Sequence, residues 1–451
     1  MPQRSSVDLA FCTGRLRTNA TNERPDLMSS APKTVRGIPY WELVTLIACI
    51  MALNAAAIDI FIPALTNITQ TLELANPNHA QFVITSYVMG FGISQIFYGT
   101  LSDRFGRRPV LLFGLCVYVL ASVTAIFSTS FAMLLALRAI QGIGAAATRV
   151  IAVSVVRDCF GGARMASVMS LVMMIFMAIP VIAPNLGQLV LFVGDWHEIF
   201  IAVAAFGAFV TLWTYFRLPE TQHPEDRLPL TIARVGQAFR VVVTNRTAFA
   251  YTLSTALTFG VLFAFINQAE QIYVSIYGMG PEFTLYFSAG AIFMAFASFW
   301  NSRLVERFGM RHLSHGAMCV FLALNVLHLV IALLNGGVPP FSVYLPMTIL
   351  SLCMFGFIGT NFNALAMDPL GHVAGTASSV LGFMQTFGGG VLGGIVGYMY
   401  DGTLIPLLIG YVVLSLGAFG CALIAENGKL FNERPSPRDG GPRVVEPAAA
   451  E

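Results

Sequence analysis

The chain has 451 residues, of which 56% are hydrophobic and only 11% charged. Its mean hydropathy is +0.73 and its net charge +2. A soluble domain carries about 25% charged residues, so this composition excludes a water-soluble globular protein and calls for lipid as the solvent; no nucleic-acid partner is expected.

Residues 1–40 are polar and carry Arg4, Arg15, Arg17, Arg24, Lys33 and Arg36. They lack the apolar core and cleavage site of a signal peptide and read as a disordered, basic, cytoplasmic tail. A membrane-crossing helix needs about 20 apolar residues. Such runs occur near 41–65, 80–101, 109–128, 131–156, 166–193, 197–217, 249–276, 283–302, 313–334, 340–363, 374–399 and 403–425. The longest polar interruption between them, 218–248, divides the chain into an N-terminal half (41–217) and a C-terminal half (249–425) of six spans each. Within it, Arg234, Gln237 and Arg240 alternate at helical spacing with Ile232, Val235, Phe239 and Val242, the pattern of an amphipathic helix on the membrane surface. Residues 426–451 form a second polar tail. The fold class expected is therefore an all-α membrane protein with twelve transmembrane helices.

Lysine and arginine orient such a chain, because they accumulate in cytoplasmic loops. With both termini in the cytoplasm, Arg104, Arg107, Arg108, Arg157, Arg164, Arg303, Arg307 and Arg311 fall on the cytoplasmic side. The outer loops, near 66–79, 129–130, 194–196, 277–282, 335–339 and 400–402, contain neither lysine nor arginine. Only Arg138 and Arg149 are left over, both inside span four.

One charged turn occurs twice. Gly99-Thr-Leu-Ser-Asp-Arg-Phe-Gly-Arg-Arg-Pro109 follows span two, and Ser302-Arg-Leu-Val-Glu-Arg-Phe-Gly-Met-Arg-His312 follows span eight. Asp103, Arg104, Gly106 and Arg108 correspond to Glu306, Arg307, Gly309 and Arg311, whereas Arg107 corresponds to Met310. This marks two pseudo-symmetric halves. Gly99, Asp103, Arg104, Gly106, Arg107 and Arg108 together resemble the signature of the major facilitator superfamily. The resemblance implies that fold, with a substrate site near the midplane between the halves and a role for this turn as a conformational latch. In that role Gly99 lets a neighbouring helix approach, and Asp103 accepts from helix N-terminal amides or an arginine.

Further motifs point to one branch. Arg138-Ala-Ile-Gln-Gly in span four resembles a signature of proton-coupled members, and a charge about 10 Å inside the membrane should face a cavity or a partner. Span five contains Pro180, Pro184 and Gly187, which resemble the antiporter signature with Ala183 replacing its first glycine. Two prolines and a glycine kink a helix and leave a surface for close packing. Span one holds Asp59-Ile-Phe-Ile-Pro-Ala-Leu65, and span six ends in Leu218-Pro-Glu-Thr221; both resemble bicyclomycin- and chloramphenicol-resistance exporters.

The resemblance implies a proton-coupled drug antiporter of a bacterial inner membrane, a monomer whose partners are a small-molecule substrate, protons and the lipid bilayer. Asp59 and Arg138 are the expected proton-coupling pair. Glu270, among Phe259, Phe263, Phe265 and Tyr273, suits a cationic or amphiphilic ligand. Asn267, Gln141, Arg149, Gln95 and Asn361 are the further cavity candidates. The alternative is a proton-coupled or facilitative importer of a small metabolite on the same fold. No G-x-x-x-x-G-K-[ST] loop is present, so ATP is not the expected energy source and no cofactor is needed. The seven cysteines stand singly, without a C-x-x-C pair, which predicts neither a metal site nor a disulfide scaffold. No enzymatic motif is found.

Overall fold

A computed structural model describes residues 34–431 other than 36, 161, 223, 224, 226 and 228–231. Most of the expected N-terminal tail, up to residue 33, and of the C-terminal tail, from 432, lies outside these residues. Among the described residues are twelve helices long and apolar enough to cross a membrane. They are Tyr40–Thr71, Pro77–Phe105, Arg107–Ala125, Phe131–Cys159, Ser167–Leu191, Trp196–Arg217, Arg246–Ile276, Phe283–Phe308, Met310–Leu334, Phe341–Leu370, Ala377–Tyr398 and Ile405–Ala425, here called spans 1 to 12. Helices are dictated by the solvent: lipid offers no hydrogen bonds, so each segment must satisfy its own backbone. The structure ends span 3 at Ala125, three residues before the expected boundary, where the chain passes into hydrogen-bonded turns, and starts span 7 at Arg246, three residues before the expected one, where the Asn245 side chain caps the helix by accepting from the Ala248 amide. A separate helix, Ile232–Thr244, occupies the expected amphipathic segment.

Enclosure differs among the spans. The apolar stretch of span 1 is 83% buried inside the protein, and that of span 9 only 28%. Large side chains such as Phe113, Leu120, Phe127 and Leu334 remain outside the protein core, where lipid is the solvent that covers them. Within the first half span 4 packs against spans 2 and 3; within the second, span 7 packs against spans 10, 11 and 12. The halves meet where span 2 lies along span 11 and span 5 along span 8. Close crossings use small residues. A Cβ at Gly142 of span 4 would collide with the Tyr87 carbonyl oxygen of span 2.

Three spans break their regular winding. Span 1 is α-helical over Tyr40–Asp59, turns through a 3₁₀ segment at Ile62–Ala64, and resumes as Leu65–Thr71. The cause is local: Pro63 has no amide hydrogen to donate to the preceding turn. Span 7 ends in a π-helical turn at Gln271–Ile276 and span 11 contains another at Met384–Gly388. Such turns interrupt the helical ladder and often lie at functional sites. All three bring polar groups to the contact between the halves.

Candidate functional site

Between the halves, on the arginine-rich face, lies a cavity of about 260 Å³. Span 2 contributes Gln95, Gly99 and Asp103, and span 4 contributes Arg149, Ser154 and Arg157. The opposite wall comes from Asn363 of span 10 and from Ser379, Gly382 and Gln385 of span 11. At the opposite ends of the spans the halves are hydrogen bonded together. Gln81 Nε2 donates to Gln271 Oε1 at 2.5 Å, and Gln271 Nε2 to Asn78 Oδ1 at 3.0 Å. Asn78 Nδ2 donates to the carbonyls of Tyr400 at 2.8 Å and Tyr398 at 3.1 Å.

Glu270 belongs to this seal and not to the cavity. Both of its carboxylate oxygens accept from the Thr66 backbone N–H at 3.0 Å. That amide opens the short helix after the break in span 1, where a carboxylate satisfies an otherwise orphan donor. Asn267 is on the same side, its Nδ2 3.4 Å from Thr85 Oγ1. The structure thus places Glu270 at an inter-half contact and outside the lining of the 260 Å³ cavity. Gln81 and Asn78, which share that contact, gave no signal in the sequence, since isolated amides at the start of a span look the same whether or not they meet a partner.

Arg138 is fully buried, with 0% exposure. Its Nε donates to the Val83 carbonyl at 3.0 Å, Nη2 to the Ala57 carbonyl at 2.9 Å and Nη1 to Gln141 Oε1 at 2.6 Å. Its guanidinium lies 4.4 Å from the ring centroid of Phe61 and 4.6 Å from that of Tyr87, within cation–π range. Gln141 continues the chain, donating to Ser122 Oγ at 2.7 Å. Arg138 thus bolts span 4 to spans 1, 2 and 3. The expected pairing with Asp59 is absent. Asp59 is 5% exposed at the end of the first helical segment, and its carboxyl has no hydrogen bond or ion pair among the described residues. The geometry explains this: three carbonyl-type acceptors and two rings already occupy the guanidinium.

Of the expected cavity residues, Arg149 and Gln95 line the cavity. Asn361 does not; its Nδ2 donates to Asn301 Oδ1 at 2.7 Å inside the second half. Gln141 is likewise committed to Arg138 and Ser122. Arg149 follows Arg138 by eleven positions, which puts them on similar headings of one helix, yet at different depths they meet different neighbours.

The charged turn assembles at the rim. Arg107 Nη1 donates to Asp103 Oδ1 at 2.6 Å and to Ser102 Oγ at 2.7 Å, and its Nε to Asp158 Oδ2 at 3.0 Å. Glu220 accepts from the backbone amides of Arg107 at 3.0 Å and Arg108 at 3.3 Å, capping span 3. Asp103 was expected to reach helix amides or an arginine; it takes the arginine, and Glu220 takes the amides. Arg108 Nη2 donates to the Tyr215 carbonyl at 2.6 Å, whereas Arg104 is exposed. A Cβ at Gly99 would lie 2.8 Å from Ser379 Oγ of span 11, so the turn does abut the other half. In span 5, Gly187 lies against the Ile60 carbonyl beside the break in span 1. Asn185 Nδ2, one residue after Pro184, donates to Ser288 Oγ of span 8 at 2.7 Å. The helix with Pro180 and Pro184 is thus a packing surface toward both halves.

The model of the family described as Major Facilitator Superfamily matches residues 47–394. Over 369 residues the chain is 30% identical to a bicyclomycin resistance protein homolog of Haemophilus influenzae, covering 80% of this chain and 91% of that one. It is 28% identical over 378 residues to the multidrug resistance protein MdtL of Salmonella heidelberg, covering 81% and 91%. A solved D-xylose–proton symporter superposes with a TM-score of 0.69 over 85% of this chain and 97% of that chain at 13% identity, a likeness of fold alone. With the paired halves, the repeated charged turn and the cavity between them, these matches establish that the chain is a multi-pass membrane transporter of the major facilitator superfamily, in the branch that includes bicyclomycin-resistance proteins.

Proposed function

We propose that this protein exports small amphiphilic compounds, drugs among them, in exchange for protons by alternating access. The observation that carries the reading is the cavity between the halves on the arginine-rich face, with the opposite ends sealed by cross-half hydrogen bonds. The likeness to resistance proteins supports export in particular. The arginine-rich face is then cytoplasmic, the termini lie in the cytoplasm, and the membrane is a bacterial inner membrane. Substrate enters the cavity from the cytoplasm. Opening the outer side requires Glu270 to leave Thr66 and the amides of Asn78, Gln81 and Gln271 to separate. Asp59 is the proton carrier: it is buried, unpartnered and set at the break in span 1, and ionisable groups inside a membrane mark relays. Arg138 holds the helices around it. Coupling follows if protonation and substrate favour different states. Glu220, Asp158 and the 99–109 turn form the latch.

The test has two steps. A screen of drug susceptibility in an efflux-deficient host identifies a substrate. Everted vesicles then report whether that substrate releases protons. Release is expected, and a substrate transported without it would favour the importer or facilitator alternative. In the Asp59→Asn variant, proton release and uphill export should fall at least about tenfold. Export against a pH gradient at the unaltered rate would remove Asp59 from the coupling role.

A further inference from the structure

The cavity contains an unneutralised cation. Arg149 lines it, and among the described residues its guanidinium makes no hydrogen bond or ion pair. A second feature points the same way. Gln95 is 2% exposed, its Nε2 amide has no hydrogen-bond partner, and it lines the same cavity from span 2. Arg157 stands at the rim, exposed and also without an ion pair. The one carboxylate in the lining, Asp103, is already held by Arg107 at 2.6 Å. The remaining polar side chains, Ser154, Asn363, Ser378, Ser379 and Gln385, are neutral. Arginine inside a membrane protein faces a cavity or a partner because its desolvation is costly, and its planar fork matches carboxylate and phosphate oxygens. A buried donor left unmade costs free energy that a ligand acceptor would recover.

We propose that the substrates of this cavity carry an anionic group, a carboxylate, sulfonate or phosphonate, seated on Arg149 with Gln95 as a second donor and the apolar body against Val150, Val153 and Leu381. This rests on the reading of the chain as a transporter and specifies its substrate class. It reverses the expectation of a cationic ligand at Glu270, whose carboxylate is occupied by Thr66.

The probes are dansylglycine and dansylglycinamide, which share a fluorophore and differ in the carboxylate. Binding to the full-length protein in phosphatidylcholine nanodiscs, read as saturable dansyl fluorescence, needs no proton gradient. Dansylglycine is expected to bind at least about tenfold more tightly than the amide, the size of one charge-assisted hydrogen bond. Arg149→Gln should erase that difference and Arg149→Lys should restore most of it, each in protein that elutes as a monodisperse peak. Equal affinity for the two probes, no saturable binding of dansylglycine, or a preference that survives in Arg149→Gln overturns the proposal. So does loss of dansylglycine binding on adding phosphatidylglycerol, which would make a lipid headgroup the occupant. Proton release in everted vesicles driven equally by both probes would sink the anion preference while leaving the transporter reading intact.

Discussion

The two charged turns descend from one pattern and are built differently. In the first half, Arg107 links Asp103 and Asp158, while Glu220 caps the next helix, so four acidic and basic groups, from spans 2, 3 and 4 and the segment after span 6, share one cluster. In the second half the residue in the place of Arg107 is Met310, and Glu306 is exposed with no ion pair among the described residues. Its Arg311 turns instead to Glu426 beyond span 12, donating at 2.8 Å. Tyr251 donates to the same carboxylate oxygen at 2.8 Å, and His315 stands 2.9 Å from the Tyr251 hydroxyl. Both halves therefore keep a glutamate from the end of their last span, Glu220 and Glu426. The first spends its glutamate on backbone amides and the second on a side-chain cluster. The difference teaches that the first turn is wired across span 4 and the rim of the cavity, and the second is folded back into its own half.

Five substitutions, in three steps, test that contrast. The largest effect is expected for Arg107→Ala. It leaves Asp103 and Asp158 together without their cation, at a cost of about 3 kcal/mol, and should abolish export. Thermal unfolding in detergent and vesicle transport measure it; Arg311→Ala, which takes the cation from one carboxylate that Tyr251 still holds, should lose stability with less damage to transport. Equal loss of transport in the two variants would break the comparison. Next come the glycines. Gly106 (φ +98°, ψ 158°) and Gly309 (φ +77°, ψ 154°) take a backbone conformation that is essentially confined to glycine, so alanine is strained by about 1–3 kcal/mol at either. At Gly106 the new Cβ also meets the Glu220 carboxylate, whereas at Gly309 there is open space. Gly106→Ala should therefore lower the unfolding temperature further and reduce transport, and Gly309→Ala should cost only the strain. The smallest effect belongs to Glu306→Gln, expected within about 0.5 kcal/mol of the unaltered protein. A larger loss would mean that Glu306 has a partner in another state of the transport cycle.

Much of the fold was legible because lipid imposes simple rules. Twenty apolar residues make a span, arginines choose a side, and a repeated turn reports duplication. The prolines of spans 1 and 5 stand in plain view in the residues, but only the structure shows that the winding breaks at Pro63 and stays helical through Pro180 and Pro184. The site was less so. Residue type and depth offer Arg149 and Gln95 as cavity residues but do not set them apart from Asn361 and Gln141, which are bonded elsewhere. Asp59 and Arg138 lie at similar depths in neighbouring spans, which made an ion pair reasonable on paper. Nothing in residue spacing says that Val83, Ala57 and Gln141 take the guanidinium first. Glu426 gave no signal, since a glutamate at the start of a polar tail is ordinary.

What the sequence determined by itself is the solvent, the number of spans, their duplication and the charged face. These follow from hydropathy and charge added along a single chain, where each residue contributes without reference to distant ones. What only the tertiary structure decided is which polar groups are spent and which are left over. Glu270 is spent on Thr66 and Arg138 on backbone carbonyls, while Arg149, Gln95 and Asp59 keep unused valence. Hydrogen bonds are short-ranged and directional, so that division depends on angstrom-scale approach between spans hundreds of residues apart.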